Sequence, residues 1–418
     1  MAPEASRGEK LAVIAGMLFF GTTTVVFRKL LYDQQAVGDP KYGGIHNFNK
    51  PWFLTTIMFA GMALALIVYE IERCIKKRVA KKLISEEGQL LSSIGNPTET
   101  QETASYKKMF WVVCAPAFCD ILATVLGNVG LLFIEASIWQ MLRGSMVIFS
   151  TLFSHFILKR YHYPYMWWSI VIVIAALIVV GLGAVLASGI GKAGVSTANV
   201  IFAIFLTIAA QLFQASQIVV EEFLLHEQTA SPVMIVGLEG MWGALISGGI
   251  FMPIAQFAFP NMEEGNGIHE DTWDSLLMCK ENPMLILFSI MYLLVNLGKN
   301  LMGMFVIKVT SAVMRTILEG LRTLFIWIFN LIMYYSMEGT TIGNHHPDLG
   351  EDWNKWSWME LGGFALLFTG MLTYNRILLL PGFKYPDETK PQVNSLNTVE
   401  EKLDMKTDPL LAQTSNLD

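Results

Sequence analysis

Ile170-Val-Ile-Val-Ile-Ala-Ala-Leu-Ile-Val-Val-Gly-Leu-Gly-Ala-Val-Leu186 runs for 17 residues without a charge. A helix needs about 20 mostly apolar residues to cross the hydrocarbon of a bilayer. In that medium only a helix or a closed barrel satisfies the backbone N–H and C=O groups. Leu361–Asn375 repeats the pattern over 15 residues. The whole chain of 418 residues is 53% hydrophobic and 15% charged, with mean hydropathy +0.46. Soluble domains carry about 25% charged residues. The sequence therefore predicts an all-α membrane protein.

Ten transmembrane helices are expected, near 11–31, 52–72, 109–133, 137–158, 164–187, 198–224, 232–257, 283–307, 311–335 and 358–380. The apolar run near Leu11 reads as a first span and not as a cleaved signal, because no small-residue cleavage site follows it. Basic residues set the orientation. The loop 73–108 holds eight of them, and Lys159 and Arg160 follow the fourth span. The loop 258–281 is acidic, with Glu263, Glu264, Glu270, Asp271, Asp274 and Glu281. Both termini and the basic loop are thus expected in the cytosol, and the acidic loop on the lumenal side. Arg28 and Lys29 oppose this rule at the far end of span 1, so they are expected to face a cavity or to snorkel.

The implied organisation has a cytosolic N-terminus at 1–10, a first half at 11–187 and a lumenal linker at 188–197. A second half follows at 198–380, with lumenal loops 258–281 and 337–357, and then a disordered cytosolic tail at 381–418. The two halves share a short likeness. Met141-Leu-Arg-Gly-Ser-Met-Val-Ile-Phe149 and Gly320-Leu-Arg-Thr-Leu-Phe-Ile-Trp-Ile328 each place a Leu-Arg pair inside an apolar helix, 179 residues apart. Two inverted five-helix repeats would give that separation, and transporters place sites where such repeats meet.

Charges inside spans mark function, because each costs about 2.5–3.5 kcal/mol on the insertion scale. Span 9 carries Arg315, Glu319 and Arg322 on one helical face. Glu319 is placed to bridge both arginines, and Arg315 lies close enough to the cytosolic end to snorkel. Asp120, Gln140, Arg143, Gln214, Glu239 and Lys299 join Glu319 and Arg322 as candidate lining of a substrate cavity. Arg315 and Glu221 are candidate structural or gating charges. Gln211, Gln214 and Gln217 form a polar stripe leading to Glu221 and Glu222. Paired buried charges can simply lock a bundle, but seven charges and a glutamine stripe exceed what packing needs. Their near balance suits a zwitterionic or an anionic solute. Gly237, Gly240 and Gly243 recur every three residues and read as a close helix contact.

Other signals carry less. Gly189-Ile-Gly-Lys-Ala-Gly194 matches G-x-G-x-x-G but follows a span, not a strand, so no dinucleotide site is expected. His345, His346 and Asp348 read as solvated, and no metal site or cofactor is expected. No catalytic constellation appears, so the chain is not expected to be an enzyme. The charge balance gives no footprint for nucleic acid. Glu86, Leu90 and Leu91 fit an acidic dileucine sorting signal for an adaptor complex.

Ala115-Pro-Ala-Phe-Cys-Asp120, Ser137-Ile-Trp-Gln-Met-Leu-Arg-Gly144 and Phe149-Ser-Thr-Leu-Phe-Ser154 resemble subfamily F of solute carrier family 35, in the drug/metabolite transporter superfamily. Glu221-Glu222, Gly237-Leu-Glu-Gly240, Arg315, Leu321-Arg-Thr323 and Tyr374-Asn375 extend the likeness over roughly 11–380. A more distant likeness runs to chloroquine-resistance-transporter-like proteins, without the several lumenal cysteines of that group. The resemblance implies ten helices in two inverted five-helix repeats, alternating access around a central cavity, and a lysosome/endosome-like or Golgi membrane. The expectation is a secondary transporter of a small polar organic solute, as monomer or homodimer, with proton coupling through Asp120, Glu239 or Glu319. The rival is a non-transporting scaffold acting through its tail and loops.

Overall fold

The computed structural model describes residues 6–32, 34–42, 44–48, 50–86, 108–134, 139, 142–188, 197–226, 230–257, 269–337, 353–383 and 385. Among these, eight helical stretches are long and apolar enough to cross a bilayer. They are Arg7–Tyr32, Pro51–Ile75, Lys108–Gly130, Pro164–Gly183, Thr197–His226, Pro232–Phe257, Pro283–Val309 and Ala312–Ser336. Met146–Phe156 is a shorter apolar helix of 11 residues, and Ser357–Tyr374 is a helix of 18. The chain is an all-α, multi-pass membrane protein.

In chain order the helices are α1 (Arg7–Tyr32), α2 (Pro51–Glu86), α3 (Cys114–Phe133), α4 (Met146–Phe156), α5 (Pro164–Ser188) and α6 (Thr197–His226). Then come α7 (Pro232–Ile246), α8 (Met252–Phe257), α9 (Thr272–Glu281), α10 (Pro283–Val309), α11 (Ala312–Met337) and α12 (Ser357–Tyr374). A π-helical segment, Ser247–Phe251, joins α7 to α8. Four helix pairs dominate the packing: α1 with α10, α2 with α7, α3 with α6, and α5 with α12. The helix α4 lies between α6 and α11.

Glycine makes the α2–α7 pair possible. A Cβ on Gly240 would sit 2.3 Å from the Ala63 backbone nitrogen, and one on Gly243 would sit 2.1 Å from the Phe59 ring. A Cβ on Gly237 would meet the Leu66 nitrogen at 2.7 Å. The three-residue repeat thus has the packing role its spacing predicts. Phe59, Met62, Ile235 and Leu238 close the core around it.

Four boundaries differ from the sequence expectation. The helix α2 continues to Glu86, so the start of the basic loop is helical; its Lys, Arg, Glu and Ala residues are all compatible with helix once one is started. Part of the acidic loop 258–281 is the helix α9. The last span stops at Tyr374, where Asn375 leaves the helix and Arg376 takes a positive φ of 60°. The fourth span is interrupted by a turn at Gly144 and Ser145. There Ser145 Oγ donates to the Leu142 carbonyl at 2.7 Å, competing with the helical ladder.

A hairpin, β1 (Gln35–Val37) paired antiparallel with β2 (Ile45–Asn47), follows α1 and packs against α9. Asp271 caps α9, accepting from the N–H of Trp273 at 2.9 Å. Asn282 caps α10 through the Met284 N–H at 3.0 Å and donates to the Gln35 carbonyl at 3.1 Å. The hairpin is clasped by Asp274, which is fully buried. It accepts from Lys50 Nζ at 2.5 Å and from the Asp39 N–H at 2.5 Å, and it meets His46 Nε2 at 3.0 Å. Glu270 accepts from the N–H of Trp52 at 2.6 Å and from that of Phe53 at 2.8 Å. A carboxylate from a distant segment thus caps the first turn of α2.

Two predictions follow from this packing. Gly240→Val forces a methyl into the α2 backbone and should destabilise by about 1–3 kcal/mol. A lowered Tm of the detergent-purified protein checks it, with Gly249→Ala as the neutral control, since that Cβ meets nothing within 4 Å.

The clasp should depend on pH with two opposite signs. Burial pushes Asp274 up, but hydrogen bonds from Lys50 and the Asp39 N–H outweigh it and leave Asp274 below its ordinary range. Its contribution is present above about pH 3.9 and is lost as the pH falls through the lowered folded value. Burial raises Glu270 to about 7, against the opposing backbone hydrogen bonds of Phe53 and Trp52. Its contribution is full below the ordinary glutamate range, about 4.3, and is lost as the pH rises towards 7. Amide protection factors over 35–47, with the intrinsic pH dependence of exchange divided out, should therefore be highest at mildly acidic pH. Protection highest at pH 8 would contradict the assignment.

Candidate functional site

The helices α3, α6, α7, α10 and α11 carry their charges to one region inside the bundle. The stripe on α6 is connected in part: Gln211 bonds back to the Thr207 carbonyl and Glu222 faces another ion pair, while Gln214 and Gln217 join the site. Gln214 Nε2 donates to Gln217 Oε1, and Gln217 Nε2 donates onward to Glu221 at 2.9 Å and to Glu239 at 2.6 Å. One amide therefore ties α6 to α7. Asp120 of α3 is buried and is hydrogen-bonded by Gln214. Arg315 of α11 forms a buried ion pair with Glu221. Three carboxylates and one guanidinium thus share a contiguous network.

Arg315 does not snorkel; it is 6% exposed and turned inward. Nor does Glu319 bridge the two arginines, as its position on the helix suggested. It pairs with Arg322 at 2.7 Å, while Arg315 reaches across to α6. The i, i+3 spacing gives Glu319 a partner on its own helix, and a buried charge one turn away must then find its counter-ion elsewhere. Both arginines lie against glycine. A Cβ on Gly21 of α1 would sit 2.6 Å from Arg322 Cδ, and one on Gly303 of α10 would sit 3.0 Å from Arg315 Nε.

A second group of charges is cationic. Lys299 of α10 lies within electrostatic reach of Glu319, Arg322, Arg143 and Arg315, and also of Asp120. The Arg143 guanidinium stands 4.8 Å over the Trp139 ring, whose Nε1 donates to the Gly127 carbonyl at 2.9 Å. Arg28 of α1 donates to the Tyr292 hydroxyl at 2.8 Å and lies within reach of Arg143. Its position against the charge rule was the only sequence signal that it belonged here. Sequence reasoning also passed over Tyr292, for which nothing in the pattern spoke.

The structure thus brings together Asp120, Arg143, Gln214, Glu221, Glu239, Lys299, Arg315, Glu319 and Arg322. Gln140 lies outside the described residues, as do Leu90 and Leu91 of the sorting motif; Glu86 ends α2. The nucleotide-like glycine motif, His345, His346 and Asp348 lie outside them as well, and so does the side chain of Lys29. A separate ion pair holds the ends of α4 and α6, where Glu222 meets Arg160 at 2.9 Å and Ser154 Oγ at 3.1 Å. A groove of about 570 Å³ runs along α2, lined by Leu66, Ile67, Glu70, Ile71, Cys74, Ile75 and Arg78, and holds none of these site residues.

No protein-family model matches the chain. The chain is similar to solved structures, one of them a crystal structure with TM-score 0.51 at 12% identity, covering 89% of this chain and 98% of that one. That likeness concerns the fold alone. Solute carrier family 35 member F6 of Mus musculus is 30% identical over 337 residues, 79% of each chain. The Homo sapiens protein of the same name is 30% identical over 336 residues, again 79% of each. An uncharacterized protein of Schizosaccharomyces pombe is 30% identical over 266 residues, 64% of this chain and 74% of its own length. With a charge network drawn from five membrane helices and relatives of this identity and coverage, the chain belongs to subfamily F of solute carrier family 35.

Proposed function

We propose that the protein is a secondary transporter of a small polar organic solute, working by alternating access in an organelle membrane. The observation that carries this reading is the buried charge network on α6, α7 and α11, with Asp120 and Arg143 of the first half within its electrostatic reach. Its relatives are named as solute carriers. A bundle that needed only to stand in a membrane would not place this many ionised groups inside it.

Ten spans in two inverted five-helix repeats account for the packing. Counted in order, α1 and α10 are spans 1 and 8, and α3 and α6 are spans 3 and 6. Exchanging halves, by shifting each span number by five, turns the first pair into the second. The pairs α2–α7, α5–α12 and α4–α11 turn into themselves. The helix contacts support that symmetry. Arg143 and Arg322 stand at equivalent places in spans 4 and 9, and these helices touch where Ser150 Oγ meets Thr316 Oγ1 at 3.0 Å. Rocking one half against the other would re-pair charges at this interface, since Arg315 of α11 has Asp120 of α3 as well as Glu221 and Glu239 within electrostatic reach. Asp120, Glu239 and Glu319 would serve a coupled proton. Arg315 and Glu221 would act as the structural or gating pair.

Two measurements test the reading. Purified protein in proteoliposomes should accumulate a member of a panel of amino acids, nucleotide sugars and organic ions, with and without a pH gradient. Arg322→Ala should lower that flux at least ten-fold while expression stays near normal. Failure of every solute to move would sink the proposal.

The gating pair is separable by stability. Arg315→Met leaves Glu221 buried without its counter-ion and should cost about 3–5 kcal/mol. Adding Glu221→Leu removes the stranded charge and should restore most of the lost Tm, but not the flux. A double variant no more stable than the single one would remove the pair from this role.

A further inference from the structure

We propose that the groove along α2 binds one anionic phospholipid, with an acyl chain along Ile67, Ile71 and Ile75 and a phosphorylated headgroup at Arg78. The site lies apart from the charge network inside the bundle and does not depend on the transport reading.

The helix α2 has 36 residues, Pro51–Glu86. At 1.5 Å per residue it is about 54 Å long, whereas the hydrocarbon of a bilayer is about 30 Å thick. Its membrane-spanning stretch ends at Ile75. The rest leaves the bilayer as unbroken helix, at the end opposite the hairpin. The sequence changes character at this boundary. Arg73, Lys76, Lys77, Arg78, Lys81 and Lys82 follow one another with no acid among them. Runs of about four to eight Lys and Arg directly beyond a span attract anionic headgroups.

The apolar pattern does not stop with the span. Ile67, Ile71, Ile75 and Val79 recur every four residues, and all four are exposed. That spacing makes one stripe on the helix surface. Apolar surface and positive charge therefore overlap, as in helices that lie where headgroups meet acyl chains. The groove of about 570 Å³ follows this stripe from Leu66, inside the span, to Arg78, just outside it. Twelve residues of helix separate its ends, about 18 Å. One end thus stands at acyl-chain depth and the other at headgroup depth. The two charged residues of the groove differ. Glu70 pairs with Arg73 of its own helix at 3.5 Å. Arg78 is exposed and has no ion pair among the described residues.

An anionic phospholipid answers both features. Guanidinium matches phosphate oxygens in a bidentate manner, and the basic run adds to the potential there. A zwitterionic lipid would fill the groove but leave the positive surplus. A free inositol phosphate would meet the charge but leave the apolar stripe open to water. An acidic protein wrapping α2 would need the whole circumference of the helix, and Leu66 and Tyr69 already pack on the bundle core.

The test uses the full chain in mild detergent, with bound lipid counted by native mass spectrometry. The probes are phosphatidylinositol 4-phosphate, phosphatidylcholine with the same acyl chains, and soluble inositol 1,4-bisphosphate. One phosphatidylinositol 4-phosphate should be retained per chain, at least ten-fold more tightly than phosphatidylcholine. Arg78→Gln combined with Lys76→Gln and Lys77→Gln should weaken it at least ten-fold, and Lys76→Arg with Lys77→Arg should not. Ile75→Trp, which fills the groove without changing charge, should also weaken it, with the Tm of each variant confirming the fold. Equal retention of phosphatidylcholine overturns headgroup recognition. Displacement by an equal concentration of inositol 1,4-bisphosphate overturns the role of the groove. Retention indifferent to both the glutamine variant and Ile75→Trp overturns the location. A lipid-free pair of chains abolished by Ile75→Trp, or calmodulin bound in place of lipid, gives the surface another occupant and overturns the proposal.

Discussion

Arg315 and Glu221 neutralise each other inside a bundle whose outer surface is hydrocarbon. In water such a pair would contribute little. Buried, either charge alone would be strongly destabilising. The pair therefore fixes α11 against α6, and Gln217 extends the constraint to Glu239 of α7. Gln214 carries it to Asp120 of α3. Four helices are tied by a continuous polar chain, and the remaining cations of α1 and α10 are arranged around it. The helices α4 and α11 meet where Ser150 Oγ lies 3.0 Å from Thr316 Oγ1.

Close helix approach is what lets these side chains reach one another. Gly237, Gly240 and Gly243 bring α7 onto α2, and that contact holds Glu239 in place to accept from Gln217. Gly21 and Gly303 leave room for Arg322 and Arg315 respectively. Without hydrophobic driving force between helices in lipid, contact between small residues and satisfied polar groups supplies the association. The glycines and the charges are thus two parts of one arrangement. The hairpin and α9 complete it at one end, where Asp274 and Glu270 hold the connection between α1 and α2 to the start of α10.

Much of this was legible in the sequence, for reasons that differ by element. Long apolar runs such as Ile170–Leu186 fix helices whatever their neighbours, because lipid allows no other answer for the backbone. The glycine repeat at 237–243 and the glutamine stripe on α6 were readable because helical periodicity alone puts those residues on one face. The ends of helices were less readable. Nothing in the charged stretch after Ile75 distinguishes a loop from an exposed helix, and the turn at Gly144 and Ser145 depends on one local hydrogen bond.

By itself, then, the sequence determined that the protein is helical and membrane-embedded, and that ionised groups sit within its spans. It also showed which residues share a face of one helix. Which charge pairs with which was decided only by the tertiary structure. Glu319 and Arg315 are i, i+4 neighbours on α11, yet Arg315 pairs with α6 and Glu319 pairs with Arg322. Arg28 lies far from Arg143 in the chain, yet stands within its electrostatic reach. Helical spacing governs neighbours within an element. The choice of a counter-ion in a low-dielectric interior is governed by whichever opposite charge the packing of other helices brings within reach.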